Sequence, residues 1–256
     1  MSDVTAWWAS EITRIAPGEI ALRGYPVEQL IGRVGFGEMI WLMLRGERPA
    51  PWQAALLEAA LVSGVDHGPQ APSIAAARMA ATCGVGLNSA VATGVNLLGD
   101  VHGGAGQQCM EVLADIRARA ADGQPLAEVV SEVRSRFRYV PGFGHRFHPR
   151  DPRRDPLLSL VERAVADGLV AGDHLGAALE LEAQLAPVPM NVDGATAVVY
   201  AELGFEPPLG RGLFVLSRSV GILAHAWEEQ RSGARIKGPI PRDLLADYTG
   251  PAPRDL

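Results

Sequence analysis

The residues best suited to chemistry are histidines, arginines and an aspartate in loops rich in glycine and proline. His102 lies in GDVHGGAG, where the flanking glycines remove side-chain bulk and let a ligand approach the backbone closely. His67 lies in DHGP, where its imidazole could donate to a bound anion or simply cap a turn. Asp193 in MNVDG precedes ATAVVYAELG, and this position by itself favours a role as a helix cap.

A cluster of basic residues follows the glycines of GFGHRFHPRDPR. Within ten positions the chain places His145, Arg146, His148, Arg150, Arg153 and Arg154. A solvated basic turn is one interpretation of this cluster. Glycines before a His-Arg pair favour instead an anionic ligand that carries phosphate, because guanidinium groups bind phosphate and carboxylate at two points.

Arg218 is a separate signal, because it lies inside the otherwise apolar segment FVLSRSVGILAHAW. A charged group in apolar surroundings costs free energy unless it is paired or binds an anion. We therefore expect Arg218 to have a partner.

Two other kinds of site fit the sequence poorly. His102, His145 and Asp193 are spread over about ninety positions, without the short helical spacing that is typical of metal ligands, so we expect no metal site. Ser217 and Ser219 lack the G-x-S-x-G elbow and the preceding strand that would frame a nucleophilic serine. The sequence therefore favours neither metal nor serine chemistry.

The elements that must position these residues are mainly helices. Leu87, Val91 and Val95 fall on one helical face, and the same spacing recurs over 126–137 and 213–227. Segments rich in Gly, Pro and Asp interrupt the helices at 64–73, 99–106, 138–156 and 187–194. An extended pattern occurs in PGEIALRGYP, which predicts at most a short hairpin. The fold class is therefore mainly α.

Composition excludes several functions. With 256 residues and 48% hydrophobic content the chain can bury a core, and its net charge of -6 argues against a nucleic-acid partner. Cys83 and Cys109 have no paired spacing, which indicates reduced thiols. Neither a basic, apolar leader nor a run of about 18 apolar residues occurs, so we expect a cytoplasmic protein without a membrane partner.

Five segments, taken in order, resemble the citrate synthase family. IALRGYPVEQL is similar to its N-terminal signature, and DVHGGAG to its L-H-G-G-A-N loop. GFGHRFHPRDPR resembles G-F-G-H-R-V-Y-K-x-x-D-P-R, MNVDG resembles P-N-V-D, and FVLSRSVG resembles F-x-x-x-R-x-x-G. Each match is modest, but five matches in the same order are a strong signal.

This resemblance implies an all-α, citrate synthase-like fold with a large domain and a trimmed small domain. One such domain would cover residues 1–256, with a small lobe at about 145–205 inserted in the large helical lobe. The active site would lie in a cleft between the lobes of a homodimer or higher homo-oligomer. A coenzyme A thioester would be the substrate, with no permanently bound cofactor.

The resemblance also assigns roles to individual residues. The catalytic residues would be His102, His145 and Asp193. The carboxylates of oxaloacetate or citrate would be held by His67, Arg153, Arg218 and, from the neighbouring subunit, Arg235. Coenzyme A would meet Gly142, Phe143, Gly144, Arg146 and Arg150. Because HRFHPRDPR is one residue shorter than the family pattern, either Arg153 or Arg154 would face the substrate.

Departures from the synthase pattern favour one branch of the family. The span from Arg153 to Asp193 is short, DHGP replaces the usual H-E-x-N, and a glycine follows Asp193. These features are similar to the citryl-CoA lyase module of ATP-citrate lyase, although that module departs from His102 and this chain retains it. We therefore expect a lyase that cleaves citryl-CoA, or a related 3-hydroxy-3-carboxyacyl-CoA, to acetyl-CoA and oxaloacetate.

Two alternatives to the lyase stay open. The first is a small citrate or 2-methylcitrate synthase, which condenses an acyl-CoA with oxaloacetate and must also hydrolyse the thioester. The second is a non-catalytic, CoA-binding partner subunit. Retention of His102, His145 and Asp193 together argues against the second alternative, since such a subunit would be free to lose one of them.

Overall fold

A computed structural model of the protein describes residues 4–237, 243–244 and 246–255. The strands are β1 Thr13–Ala16, β2 Glu19–Leu22 and β3 Tyr25–Pro26. The helices are α1 Val4–Trp7, α2 Val27–Leu30, α3 Phe36–Arg45, α4 Pro51–Gly64, α5 Pro72–Thr82, α6 Leu87–Val95, α7 Ala105–Ala121, α8 Leu126–Ser135, α9 Arg154–Ala166, α10 Asp173–Leu185, α11 Val192–Glu202 and α12 Pro207–Arg231. The expectation of a mainly α fold is confirmed.

The chain divides into two compact units. Unit 1 comprises Met1–Val65 and Gly103–Ser217, and unit 2 comprises Asp66–His102 and Arg218–Leu256. The small lobe predicted at about 145–205 lies entirely within unit 1, and its status as a separate lobe stays a prediction. Over the described ranges, every helix is too short or too polar to cross a membrane.

The predicted hairpin is present near the N-terminus, with a third short strand added. In the antiparallel order β1-β2-β3, Thr13 pairs with Leu22, and Leu22 also pairs with Tyr25. The first turn contains Gly18 at a φ of 79°, a conformation that glycine adopts at little cost.

The core of unit 1 is built around α11. Almost every side chain of this helix from Val192 onward is buried, and it packs against α4, α7, α9 and α10. Its sequence, VDGATAVVYAE, is apolar on nearly all sides, as expected of a helix that is surrounded by other helices. The start of this helix, which carries Asp193, is therefore held by the most buried part of unit 1.

Small residues let the elements of unit 2 pack closely. Ile74, Ala77 and Ala90 are fully buried together with Ile222. A Cβ atom placed on Gly94 would lie 2.7 Å from the carbonyl oxygen of Ser73, so glycine is required for this approach. The start of α5 is thus packed tightly against α6.

The apolar spacing predicted over 213–227 is helical, but its residues do not share one environment. Leu213 is buried at 1% exposure, whereas Val220 and Trp227 are 57% and 52% exposed. Periodicity alone predicted the helix. It did not predict which turns of the helix are buried against other described residues.

Candidate active site

His145 lies in the loop between α8 and α9, directly after Gly144, whose φ is 78°. Its Nδ1 atom accepts hydrogen bonds from the backbone N–H groups of Phe147 and His148, at 3.0 and 3.1 Å. An Nδ1 atom that accepts two bonds carries no proton, so the neutral ring has its proton on Nε2. Burial is the largest cause that lowers the pKa of His145, and the charge of the neighbouring His148 also lowers it. The ring is therefore neutral near pH 7.

Asp193 is the second residue of α11, but it does not cap this helix. The cap is Asn191, whose side-chain oxygen accepts from the N–H groups of Asp193 and Gly194 at 2.9 and 3.2 Å. The interpretation of Asp193 as a cap is therefore wrong. Asn191 has the extended backbone of an N-cap position and precedes the helix, whereas Asp193 already lies in its first turn.

The charge of Asp193 acts on two buried groups of unit 1, Cys109 and Tyr200. Burial, followed by the charge of Asp193, raises the pKa of the Cys109 thiol to about 12. The same two causes raise the pKa of Tyr200. Both side chains are therefore neutral neighbours of Asp193, and Cys109 is the buried one of the two free cysteines, as expected of a reduced thiol.

Asp151 joins the basic loop to the start of α11. It is 1% exposed and accepts from Arg153 Nε and Nη2 at 2.9 Å and from the N–H of Val192 at 3.0 Å. Burial raises the pKa of Asp151, but these hydrogen bonds dominate and lower it to about 2. Sequence reasoning overlooked this residue, although a carboxylate between the arginines of HPRDPRR was a visible signal.

Arg153 and Arg154 have different surroundings. Arg154 is bonded to Glu182 through Nε and Nη2 and to Asp155 through Nη1, and its side chain is only 10% exposed. Among the residues that the structure describes, Arg153 has one carboxylate partner, Asp151, and its side chain is 22% exposed. Arg153 therefore has more room for a further anion than Arg154, which two carboxylates already neutralise.

In unit 2, His102 is held by the first turn of α5. Its Nε2 lies 2.9 Å from Ser73 Oγ and accepts from the N–H of Ser73 at 3.2 Å. The proton of the neutral ring is therefore on Nδ1. Burial, and then the charge of Arg218, lowers the pKa of His102. No sequence signal pointed to Ser73, which lies 29 positions away from His102.

The other predicted binding residues of unit 2 differ in exposure. Arg218 lies within α12 and is 5% exposed. His67 is partly buried next to Asp66, whose carboxylate lies 3.2 Å from His225. Arg235 follows α12 and is exposed. Unit 2 thus contains His67, His102, Arg218 and Arg235, and unit 1 contains the other predicted site residues.

The glycine loop before His145 borders a cavity of about 660 Å³ within unit 1. Phe143 and Gly144 form part of its lining, as do Arg134, Arg138 and Tyr139. The Arg138 guanidinium lies 5.3 Å from the centre of the Tyr139 ring. The cavity therefore offers a flat apolar surface and two cations, which suit a ligand with a planar ring and a phosphate. Sequence reasoning identified Phe143 and Gly144 but overlooked Arg134, Arg138 and Tyr139.

The two arginines assigned to coenzyme A phosphates are both exposed. Arg150 bonds Asp155 at 2.7 and 2.8 Å with a side chain that is 59% exposed. An ion pair in that setting contributes little free energy, so Arg150 can exchange this partner for a phosphate. Arg146 stands on the same loop, directly after His145.

Comparisons with known proteins identify the family of the chain. The family model described as "Citrate synthase, C-terminal domain" matches residues 42–240. A citrate synthase from Haloferax volcanii is 35% identical over 218 residues, which cover 81% of this chain and 53% of that protein. The chain therefore spans about half the length of the curated relatives it matches.

Two solved structures have similar folds. A citryl-CoA lyase from Hydrogenobacter thermophilus superposes with a TM-score of 0.85 at 32% identity, and the match covers 97% of both chains. An ATP citrate lyase from Methanothrix soehngenii, in complex with citrate and coenzyme A, gives 0.80 at 23% identity, with 96% of this chain and 42% of that chain covered. At that identity the second match establishes the fold alone.

Proposed function

This chain belongs to the citrate synthase family, and we propose that it is a citryl-CoA lyase, which cleaves citryl-CoA to acetyl-CoA and oxaloacetate. The observation that carries the proposal is the similarity to the Hydrogenobacter citryl-CoA lyase. That structure superposes with a TM-score of 0.85 at 32% identity. A related 3-hydroxy-3-carboxyacyl-CoA is a substrate of the same chemical class.

His102 would stabilise the carbanion that C–C cleavage leaves on the acetyl-CoA side. This carbanion is an enolate, with its negative charge largely on the thioester oxygen. A neutral His102 whose proton is on Nδ1 can donate to that oxygen, while Ser73 holds the other ring nitrogen. One such preorganised donor lowers a barrier by about 3 kcal/mol.

Asp193 would carry the proton of the carbon centre. In cleavage its carboxylic acid protonates the enolate carbon to give the methyl group of acetyl-CoA, and in condensation its carboxylate removes that proton. The first turn of α11 holds Asp193 rigidly beside the buried Cys109 and Tyr200. Neither neighbour ionises near pH 7, so neither competes with Asp193 for the proton.

His145 would act on the oxygen that becomes the ketone of oxaloacetate. With its proton on Nε2 the ring donates to this oxygen, which polarises the ketone in condensation. In cleavage the hydroxyl proton passes to Nε2 of the tautomer whose own proton is on Nδ1, and the ring becomes an imidazolium. That tautomer gives up the bonds from Phe147 and His148, so cleavage carries the cost of losing these two bonds.

The arginines would hold the carboxylates of the tricarboxylate. We assign Arg153 rather than Arg154 to this role, because Arg154 is saturated by Glu182 and Asp155. Arg218 and His67 would bind the remaining carboxylates, and Arg235 would be supplied by the neighbouring subunit of a homodimer. A guanidinium matches a carboxylate at two points, which fixes the orientation of the substrate.

Coenzyme A would bind along the loop that precedes His145. Gly142, Phe143 and Gly144 would contact it through the backbone, and Arg146 and Arg150 would meet its phosphates. The adjacent cavity of about 660 Å³ has room for a nucleotide-sized group. This arrangement would place the thioester end of the ligand towards His145.

Synthase activity is the second candidate, because the curated relatives are citrate synthases, one of them 35% identical. The two activities share every residue discussed above and differ in whether the thioester is hydrolysed. A non-catalytic CoA-binding subunit is the third candidate, and the presence of His102, His145 and Asp193 together opposes it.

The test is incubation of the purified protein with citryl-CoA. Oxaloacetate is followed through malate dehydrogenase and NADH, and free thiol is detected in parallel. Loss of NADH without free thiol supports the lyase, and free coenzyme A with citrate but no oxaloacetate supports a synthase. An absence of any turnover, with citryl-CoA still bound, would contradict both enzymatic proposals. The Asp193→Asn variant serves as the matched inactive control.

A further inference from the structure

The side chain of Asn191 bonds two segments of unit 1 that carry proposed catalytic residues. Its oxygen accepts from the N–H groups of Asp193 and Gly194, at 2.9 and 3.2 Å. Its nitrogen donates to the carbonyl oxygen of Gly144 at 2.7 Å, and Gly144 is the residue before His145. One amide group therefore contacts the backbone of Asp193 and the peptide unit that leads into His145.

The backbone strengthens the same junction. The N–H of Asn191 donates to the carbonyl of Gly142 at 3.0 Å, and the N–H of Gly144 donates to the carbonyl of Pro189 at 2.8 Å. A Cβ atom on Gly142 would lie 2.8 Å from the Cα atom of Gly194, so the two segments touch at their glycines. A side chain that bonds both segments at this point can fix their relative position.

The chemistry of the junction requires an amide. A helix cap needs an acceptor, which Ser, Asp and Asn all supply with similar effect. The bond to the carbonyl of Gly144 also needs a donor at a longer reach, which an ionised Asp lacks and Ser is too short to provide. Asn191 meets both requirements, so capping alone does not explain its contacts.

We propose that Asn191 is a positioning residue, which ties the loop of His145 to the helix that carries Asp193. The inference rests on the proposed function, because it concerns the two residues that act on opposite sides of the bond that breaks. A displacement of about 1 Å between reacting groups can slow a reaction about 100-fold. The bond to Gly144 therefore acts mainly on the rate. Because Gly144 is also assigned to coenzyme A, KM is measured beside kcat.

Three variants separate the cap from the tie. Asn191→Ser and Asn191→Asp keep the helix cap and lose the donor to Gly144, and Asn191→Ala loses both. Asn96→Asp, at an exposed position of unit 2, controls for the change of Asn to Asp itself. Each protein is assayed with citryl-CoA, and its amide hydrogen exchange is measured over 142–148 and over 192–202.

We expect the Ser and Asp variants to lose kcat about 10- to 100-fold, with KM within about 3-fold of the wild type. Exchange over 142–148 should rise in all three variants, whereas exchange over 192–202 should rise in Asn191→Ala only. A loss of kcat in Asn191→Asp but not in Asn191→Ser would be an effect of the new charge and would overturn the proposal.

Unchanged exchange over 142–148 in the Ser and Asp variants would also overturn the proposal, because the tie would then not hold the loop. The exchange measurement does not depend on the substrate. If the wild-type protein leaves citryl-CoA intact, the proposed function fails, and the exchange data still decide whether Asn191 ties the two segments.

Discussion

The two histidines of the proposed site are held in opposite ways. In unit 1, His145 receives its Nδ1 bonds from the backbone of residues two and three positions further along its own loop. In unit 2, His102 is bonded through Nε2 to Ser73, which lies on a separate helix. The neutral rings therefore expose different nitrogens as donors, Nε2 in His145 and Nδ1 in His102. A tautomer can thus be selected either by a local loop or by tertiary packing.

Both arrangements favour the neutral ring. Burial is the largest cause that lowers the pKa of His102 and of His145, and nearby cations act in the same direction. Protonation would also place a ring N–H against backbone N–H groups that already donate to that nitrogen. Each histidine is consequently suited to donate a hydrogen bond to an oxygen without carrying a charge of its own.

The largest expected effect comes from a change of Asp193, the proposed proton carrier of the reaction in which both histidines are proposed to act. Asp193→Asn keeps the size of the side chain and loses the proton transfer, so we expect kcat to fall about 10³-fold or more. The measurement is the citryl-CoA assay, with the thermal midpoint as the control for folding. Substantial residual turnover would contradict the role given to Asp193. The two histidines would then no longer be linked by one proposed reaction.

A second change removes a buried charge, that of Asp151, from the unit 1 part of the proposed site. Asp151→Asn removes a buried carboxylate that holds Arg153 and the start of α11, and we expect a loss of about 3 kcal/mol in the free energy of unfolding. Because the pKa of Asp151 is lowered to about 2, its contribution should be complete above pH 3.8 and vanish as the pH falls towards 2. Denaturant unfolding of wild type and variant at several pH values tests both statements.

A substitution of Gly144 can displace the loop that carries His145. Gly144 has a φ of 78°, and a Cβ atom there would lie 3.3 Å from Val188 Cγ1. Gly144→Ala should therefore displace His145 and lower kcat about 30-fold, within the range expected of a displaced catalytic group. Gly123→Ala, at a positive φ in open space, is the matched control and should leave kcat within about 2-fold, since it lacks any link to a proposed catalytic group. Equal kcat values in the two variants would show that the position of His145 does not depend on Gly144 in the way proposed.

A milder substitution, at Ser73, weakens the hydrogen bonding that holds His102. Ser73→Ala removes one of the two bonds to Nε2 and leaves the backbone N–H in place. We expect kcat to fall about 5-fold with little change in KM, because the loss of one hydrogen bond is worth about 1 kcal/mol. A change of KM alone would indicate that Ser73 serves substrate binding instead.

The smallest effect concerns pH and tests what the two histidines share. Since the pKa values of His102 and His145 are both lowered, kcat/KM should stay constant as the pH falls to 6.5 and decrease only below it. The profile of kcat/KM against pH measures this limb. An acid limb centred above pH 6.5 would contradict the neutral state assigned to both rings.

Local pattern was enough to predict much of the fold. The helical spacing predicted over 126–137 corresponds to α8 as far as Ser135, and Phe137 lies beyond the end of this helix. The breaks at glycine and proline correspond to the loops around α8. Pattern failed at MNVDG, where Asn191 and Asp193 are both good caps and only the backbone angles identify Asn191.

What the sequence by itself determined is the helical class, the family and the set of reactive side chains, because these follow from residue types and short spacings. Tertiary structure alone decided which partners these side chains have. Glu182 neutralises Arg154 from 28 positions away, and Ser73 selects the tautomer of His102 from 29 positions away. Hydrogen bonds act over about 3 Å in space, and that proximity has no counterpart in sequence distance.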